Sequence, residues 1–489
     1  MTLTDLVTGI VIVLGVLLVV YCIQVLFLSP LRRIPGPFIA KFTPFWLARQ
    51  CRNARRSAAV TEQHARYGKF VRIGPKHVSI DSYEALAEVY GHKSGFVKSE
   101  FYDAFLQVTP VVFTCRDVKM HQQKRKHVNP AFSAKALAEF EPAMDSEILG
   151  WKKNLSTIAK SKRIPLTFQY GVPNYLAFDV IARFAFGTPF GFVEQGKDPH
   201  NLISTIDTRG EVLNALGTLP PSIRPWMRYN YLDPFWSSGL RAASNLESIG
   251  RRAYHQRKNS SDPQKDLLSH LFKAQETEGI SEQDIIAESI SFIVGGSDTT
   301  SSTMTNFIDI VSRNEELQAR LRQELDGAFP GELGHDWVPE NAVLQNLPLL
   351  NATLREVLRV RPTSATGLER VVPAGGKDIA GVYFPAGTIV SVPTCGIMSD
   401  EGIFKNAAEF RPERWMGPDA KELNDYFVPF STGSRTCIGR NFAWMQLLKA
   451  LTVVFRLFHV RRARSEATVL REGFFQKATE CVCLLTSGA

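Results

Sequence analysis

A chain of 489 residues, 44% hydrophobic and 21% charged, has the makeup of a globular protein with a sizeable core, and global disorder is excluded. Its net charge of +9 invites a nucleic-acid partner, but no nucleic-acid module is readable, and part of the excess lies in one N-terminal belt suited to anionic lipid headgroups. Seven cysteines, Cys22, Cys51, Cys115, Cys395, Cys437, Cys481 and Cys483, are too few, scattered and odd in number for a disulfide framework.

The stretch from Leu6 to Leu28 carries no charge. It predicts a spanning helix within residues 1–30 and exceeds the apolar core of a cleaved signal peptide, about 7–15 residues. Arg32, Arg33, Lys41, Arg49, Arg52, Arg55 and Arg56 follow before the first acid, Glu62, while the head carries only Asp5. The positive-inside rule then puts the body in the cytosol, where the sequons at Asn154, Asn259 and Asn351 would not meet the glycosylation machinery. Pro35, Gly36, Pro37 and Pro44 predict a stiff, extended hinge over 31–44. No linker interrupts 45–489, which reads as one domain.

Within that domain, Phe70 to Ile80 predicts a small hairpin. Helical periodicity runs from Ala134 to Leu325, broken near Pro220 and Pro221 and from Ser260 to Pro263. Short strands are predicted from Arg370 to Val392, and Cys481-Val482-Cys483 reads as part of a final strand. The fold class is mainly α with a smaller β region.

Three segments carry chemistry. Phe430-Ser431-Thr432-Gly433-Ser434-Arg435-Thr436-Cys437-Ile438-Gly439 precedes a helical run, Asn441 to Leu457. A cysteine at a helix start is biased toward thiolate by the dipole and free N–H groups. Gly433 and Gly439 let the backbone lie flat against a planar ring, and Arg435 is placed to pair with a carboxylate on it. A lone cysteine there would ordinarily be an inert buried thiol. Glu356 and Arg359 share a helix face at i and i+3, and such a pair alone is usually a solvated surface contact. Finally, Gly295 and Gly296 cost about 1 kcal/mol each inside a helix predicted over 281–311. Either a locally opened groove or a close helix crossing with incidental hydroxyls would offset that cost.

The segment Phe430 to Gly439 resembles the haem-ligand loop of the cytochrome P-450 superfamily, Phe-x-x-Gly-x-Arg-x-Cys-x-Gly. The resemblance implies the cytochrome P-450 fold, haem b, and Cys437 as the proximal thiolate ligand to iron. It further implies that Glu356 and Arg359 close a network with Arg414 of Pro412-Glu413-Arg414, holding the cysteine loop. Gly295-Gly296-Ser297-Asp298-Thr299 is similar to the oxygen groove, with Thr299 donating a hydrogen bond to bound O₂ and Asp298 relaying protons. His121, Arg125 and Arg370 match the expected propionate partners. Gln446 stands where the family often has Glu. Lys124, Lys126, Arg435, Arg440 and Lys449 are candidates for a basic face meeting an acidic electron donor.

What the resemblance implies is a haem-thiolate monooxygenase that oxidises a hydrophobic, aromatic or other small molecule with O₂. Electrons come from NADPH through the flavins of NADPH-cytochrome P-450 reductase, at the endoplasmic reticulum membrane. Across most of the body the chain is also similar to the fungal benzoate para-hydroxylase family, including Asn174 to Asp179, Arg209-Gly210-Glu211-Val212 and Arg471 to Phe474. Glu369 and Met398-Ser399 depart from that family, which tends to have Pro and His-Arg there. Tailoring of a fungal secondary metabolite and benzoate catabolism both fit. A haem-thiolate isomerase or dehydratase tends to lose the Asp-Thr pair kept here, and a haem sensor would not need the groove.

Overall fold

The computed structural model of the chain describes residues 3–487 apart from 161–165, 168–171, 231 and 262–264. The helix Leu3–Ile23 continues as a π-turn, Gln24–Leu28. Its Val, Leu and Ile side chains are exposed along nearly the whole length. Leu3–Leu28 is long and apolar enough to cross a membrane.

The hinge is extended only at Pro35 to Pro37 and closes in a 3₁₀ turn, Phe38–Lys41. Its rigidity comes from docking as well as from proline. The Arg72 N–H donates to the Pro35 carbonyl at 2.7 Å, and the Arg72 guanidinium donates to Pro75 O at 2.7 Å and Leu31 O at 3.4 Å. A Cβ on Gly36 would sit 2.3 Å from the Arg72 carbonyl oxygen, so only glycine fits there. The Tyr21 hydroxyl donates to Phe42 O at 2.6 Å, tying the apolar helix to the same turn.

Phe70–Gly74 and His77–Ile80 form the expected antiparallel hairpin. The second strand also pairs in parallel with Ile389–Ser391, which lies against Arg370–Val371 and, beyond it, Val97–Lys98. This long-range sheet carries Lys98 and Arg370 on adjacent strands, with Lys98 opposite Arg370. Val482–Ser487 pairs with Phe458–Arg462, so Cys483 lies in the expected final strand and Cys481 immediately before it.

Between Ala134 and Ala328 the described residues are mainly helical, apart from the short strand Leu166–Thr167 and the turns between helices. Glu282–Val311 is its axis: Ser281 caps its start by accepting from Asp284 N–H, and most of its residues are buried. Two glycines permit close crossings. A Cβ on Gly296 would meet Ile181 of Val172–Phe186 at 2.5 Å, and one on Gly250 of Pro234–Lys258 would meet Ile290 at 2.2 Å. The helix Arg440–Leu457 is buried from Met445 to Phe455 and packs Phe455 against Phe307 of the central helix, ring centroids 5.5 Å apart. A cavity is left between the two.

Alanine at Gly36 is expected to displace the Pro35 carbonyl from Arg72. Limited trypsin digestion should then cleave at Arg32, Arg33 or Lys41 several-fold faster, with the far-ultraviolet circular dichroism unchanged; equal cleavage rates would show that the docking does not hold the hinge.

Candidate active site

The loop before Arg440–Leu457 is fixed by its own backbone. The Cys437 N–H donates to Phe430 O at 2.9 Å, and the Thr436 N–H to Gly433 O at 3.2 Å. Gly433 has φ 71°, and a Cβ there would lie 1.9 Å from the Tyr90 carbonyl oxygen. Gly439 is different: a Cβ there would find only Phe132, at 3.9 Å, and so would extend into open space. Cys437 lines a cavity of about 780 Å³. Burial pushes its thiol up, while the Gly439 N–H and the charges of Arg125 and Arg440 pull it down.

One wall of the cavity collects the cations Lys98, Arg125 and Arg435, with Arg370 beside them in the interior. Arg435 donates to Cys115 O at 2.8 Å, Arg125 to Thr436 O at 2.8 Å, and Arg370 to the Tyr102 hydroxyl at 3.1 Å; Lys98 donates to Phe113 O. Carbonyls and a phenol are their partners, and among the described residues none forms an ion pair. Burial, then Arg370 and Arg435, hold Lys98 well below the usual lysine range. Burial, then Arg435, Lys98, Arg125 and Arg370, push His121 down to about 3. The His121 Nε2 is buried without a partner.

The opposite wall is the central helix. It is unbroken through Gly295 to Thr300, so the expected local opening is not formed. Most hydroxyls bond back one turn instead: Ser297 donates to Ile293 O and Thr299 to Gly295 O, each at 2.7 Å, and Ser302 to Asp298 O at 2.6 Å, while Thr300 Oγ1 is buried without a partner. Of the two explanations for the glycines, Gly296 serves the crossing with Ile181. Gly295 has nothing within 4 Å of a built Cβ and lines the cavity. Asp298 is buried and forms an ion pair with Lys477, which also holds Asp207 of Leu202–Gly217. Burial raises Asp298 to about 6, with Lys477 lowering and Asp207 raising it in turn.

Behind the loop, Glu356 is wholly buried and accepts from Arg359 Nε at 3.0 Å and Nη2 at 2.8 Å, Arg414 Nε at 3.0 Å, Arg411 N–H at 3.0 Å and Trp415 Nε1 at 2.8 Å. The remaining guanidinium hydrogens go to carbonyls, including Met398 O, Ala407 O and Lys405 O. This is no solvated surface pair. Trp415 packs edge-on to Phe427, 5.2 Å between centroids, and Phe427 touches Phe430 at the loop entrance.

The sequence matches the cytochrome P450 family over residues 35–479. The chain belongs to that family. It is 35% identical over 495 residues to benzoate 4-monooxygenase bphA of Aspergillus niger, covering 95% of this chain and 94% of the relative. Pisatin demethylase of Fusarium vanettenii is 28% identical over 90% of this chain and 87% of its own length. The monooxygenase mpaDE of Penicillium roqueforti (strain FM164) is 28% identical over 92% of this chain and 54% of its own length. The protein is a P450 monooxygenase, and its cofactor is haem b.

The residues of this P450 fit that group. An unmatched set of four cations and an orphaned imidazole nitrogen suit a pair of ring carboxylates. Cys437 and the Cβ-free surface of Gly439 open onto the same space as Gly295 and Thr299. Lys98 is not legible in the sequence because a lone lysine in a two-residue strand has no periodic signature. Trp415 is not legible there because its partner is 59 positions away. Lys477, two residues after the aromatic pair Phe474 and Phe475, gives no sign in the sequence of its two carboxylates.

The basic electron-donor face is not assembled as expected. Lys449 is fully buried against Asp145, Glu141 and Pro339 O, Lys124 is paired with Asp284, and Arg435 turns inward. Lys126 and Arg440 are exposed, and Lys126 pairs with Glu278. Gln446 is buried with both amide atoms unpartnered.

Removing the charge of Glu356 leaves two buried guanidinium groups without an anion, a loss of about 3–5 kcal/mol for a broken buried pair. Glu356→Gln is therefore expected to lower Tm by several degrees and to reduce the haem retained per chain on purification. Unchanged values for both would reject the supporting role.

Proposed function

We propose that Cys437 is the thiolate ligand of the haem iron and that the cavity between it and the central helix is where a hydrophobic small molecule is oxidised. Cysteine-ligated haem supplies reductive activation of O₂ when bound. Arg125, Arg370, Arg435, Lys98 and His121 hold its carboxylates. Phe430, Gly433 and Gly439 shape the loop beneath the ring. Glu356, Arg359 and Arg414, through Trp415 and Phe427, keep that loop in register.

Thr299 presents its hydroxyl to the cavity and anchors it on Gly295 O, from which it could turn to donate into the cavity. Asp298, next in the chain and raised to about 6, holds or releases a proton near neutral pH; Lys477 sets which. The observation that carries this reading is the placement of one thiol, an unmatched cation set and the Asp298-Thr299 pair around a single cavity.

Residues 1–30 anchor the protein in a membrane, 31–44 form the hinge, and 45–489 form the haem-binding monooxygenase domain. We place it at the endoplasmic reticulum with that domain in the cytosol, served by NADPH-cytochrome P450 reductase. Tailoring of a fungal secondary metabolite is the activity we favour. The 35% identity to a benzoate 4-monooxygenase supports a second reading, para-hydroxylation of benzoate. Asp298 and Thr299 are both present, which weighs against an isomerase, a dehydratase or a sensor.

For Cys437→Ala we expect the reduced, carbon-monoxide-bound protein to lack the thiolate-type Soret band; a spectrum like that of the unmodified protein would refute the ligand assignment. For Thr299→Ala we expect NADPH consumption to continue while peroxide replaces most of the product. Coupling equal to that of the parent enzyme would remove Thr299 from oxygen handling.

A further inference from the structure

The cavity holds a second cationic position, apart from the wall that faces the ring carboxylates. Arg209, on the helix Leu202–Gly217, lines the cavity and is 8% exposed. Its Nη2 donates to Phe105 O at 3.1 Å, and its Nε is buried with no partner. The acids on the same helix are engaged elsewhere: Asp207 with Lys477, and Glu211 with Arg471 at 2.5 Å. The charged group that influences Arg209 is another cation, Arg228, whose Nη2 donates to Ala104 O at 3.1 Å. Burial and Arg228 lower Arg209 only to about 10, so it keeps its charge at neutral pH. A buried guanidinium with an idle N–H and no anion is costly to maintain.

Aromatic rings surround this charge. The Phe105 ring lies 6.0 Å from the guanidinium carbon, and Phe105, Phe113 and Phe474 pack edge to face with centroids 5.0 to 5.9 Å apart. All three line the cavity with Arg209. Apolar walls with one desolvated cation select an amphipathic anion: the rings take a hydrophobic body, and the guanidinium takes a carboxylate through a charge-assisted hydrogen bond.

We infer that Arg209 is a specificity-determining residue that anchors the carboxylate of an aromatic acid substrate. This rests on the monooxygenase reading of the same cavity. Of the two activities weighed above, it selects for substrates that carry an acid group.

The test uses the full-length holoenzyme and type-I spectral titration with matched pairs: benzoate against benzamide, and 2-naphthoate against 2-naphthamide. Each acid is expected to bind about 10- to 100-fold more tightly than its amide, the range for a hydrogen bond to a charged group. Arg209→Gln should remove that one bond and bring each pair within about threefold of one another. Arg209→Lys should retain part of the preference.

Equal binding of acids and amides by the parent enzyme, or an acid preference that survives in Arg209→Gln, would overturn the proposal. So would a protein that shows the thiolate-type Soret band yet responds to neither acid. Absence of that band in the parent enzyme would remove the monooxygenase reading itself, and this proposal with it, so the two failures are told apart before any titration begins.

Discussion

Positive charge that the polypeptide does not neutralise organises this molecule. Lys98, Arg125, Arg370 and Arg435 converge from a strand, a helix, a second strand and a loop, and burial, reinforced by their mutual repulsion, depresses Lys98 and His121. Such an arrangement persists only if the fold around it is stable enough to force it, or if a dianionic guest completes it. The five-stranded sheet, the Arg440–Leu457 helix and the Glu356 network all serve to keep these groups at one wall. The cysteine loop inherits its position from the same supports.

The legible parts of the sequence were those whose signal is local. The apolar run before Ser29, the Phe70–Ile80 hairpin, the helical tract and the Cys437 loop each declare themselves within a few dozen residues. Glu356 and Arg359 were readable as neighbours, but their burial was not, because it depends on carbonyls from Met398, Ala407 and Glu409 that arrive from a separate segment. The central glycines show the limit of propensity reasoning. The helix cost of the two glycines is real, yet it is offset by packing against Ile181 and by hydroxyls bonding back one turn, and the helix does not open.

Charged pairs between distant segments were not readable. Glu369, noted only as a departure from proline, pairs in the interior with Arg56 at 3.1 Å and accepts from Ser99 at 2.8 Å. Asp309, near the end of the central helix, gathers Arg313, Arg361, Arg462 and Thr468. Apart from Arg313, one helical turn away, each of these partners lies dozens of positions off, and one sequence carries no record of such pairings. The basic face failed for a related reason: counting lysines and arginines says nothing about which are turned inward to partners such as Asp145 and Asp284.

Lys477 gives the pocket a shared counterion. One ammonium group serves a carboxylate on Leu202–Gly217 and another on the central helix, so the two helices are joined by a single charge, as two plates are by one rivet. Neither helix can draw away without altering how that ammonium is divided between Asp207 and Asp298. Width of the chamber and protonation of its floor are thereby mechanically linked.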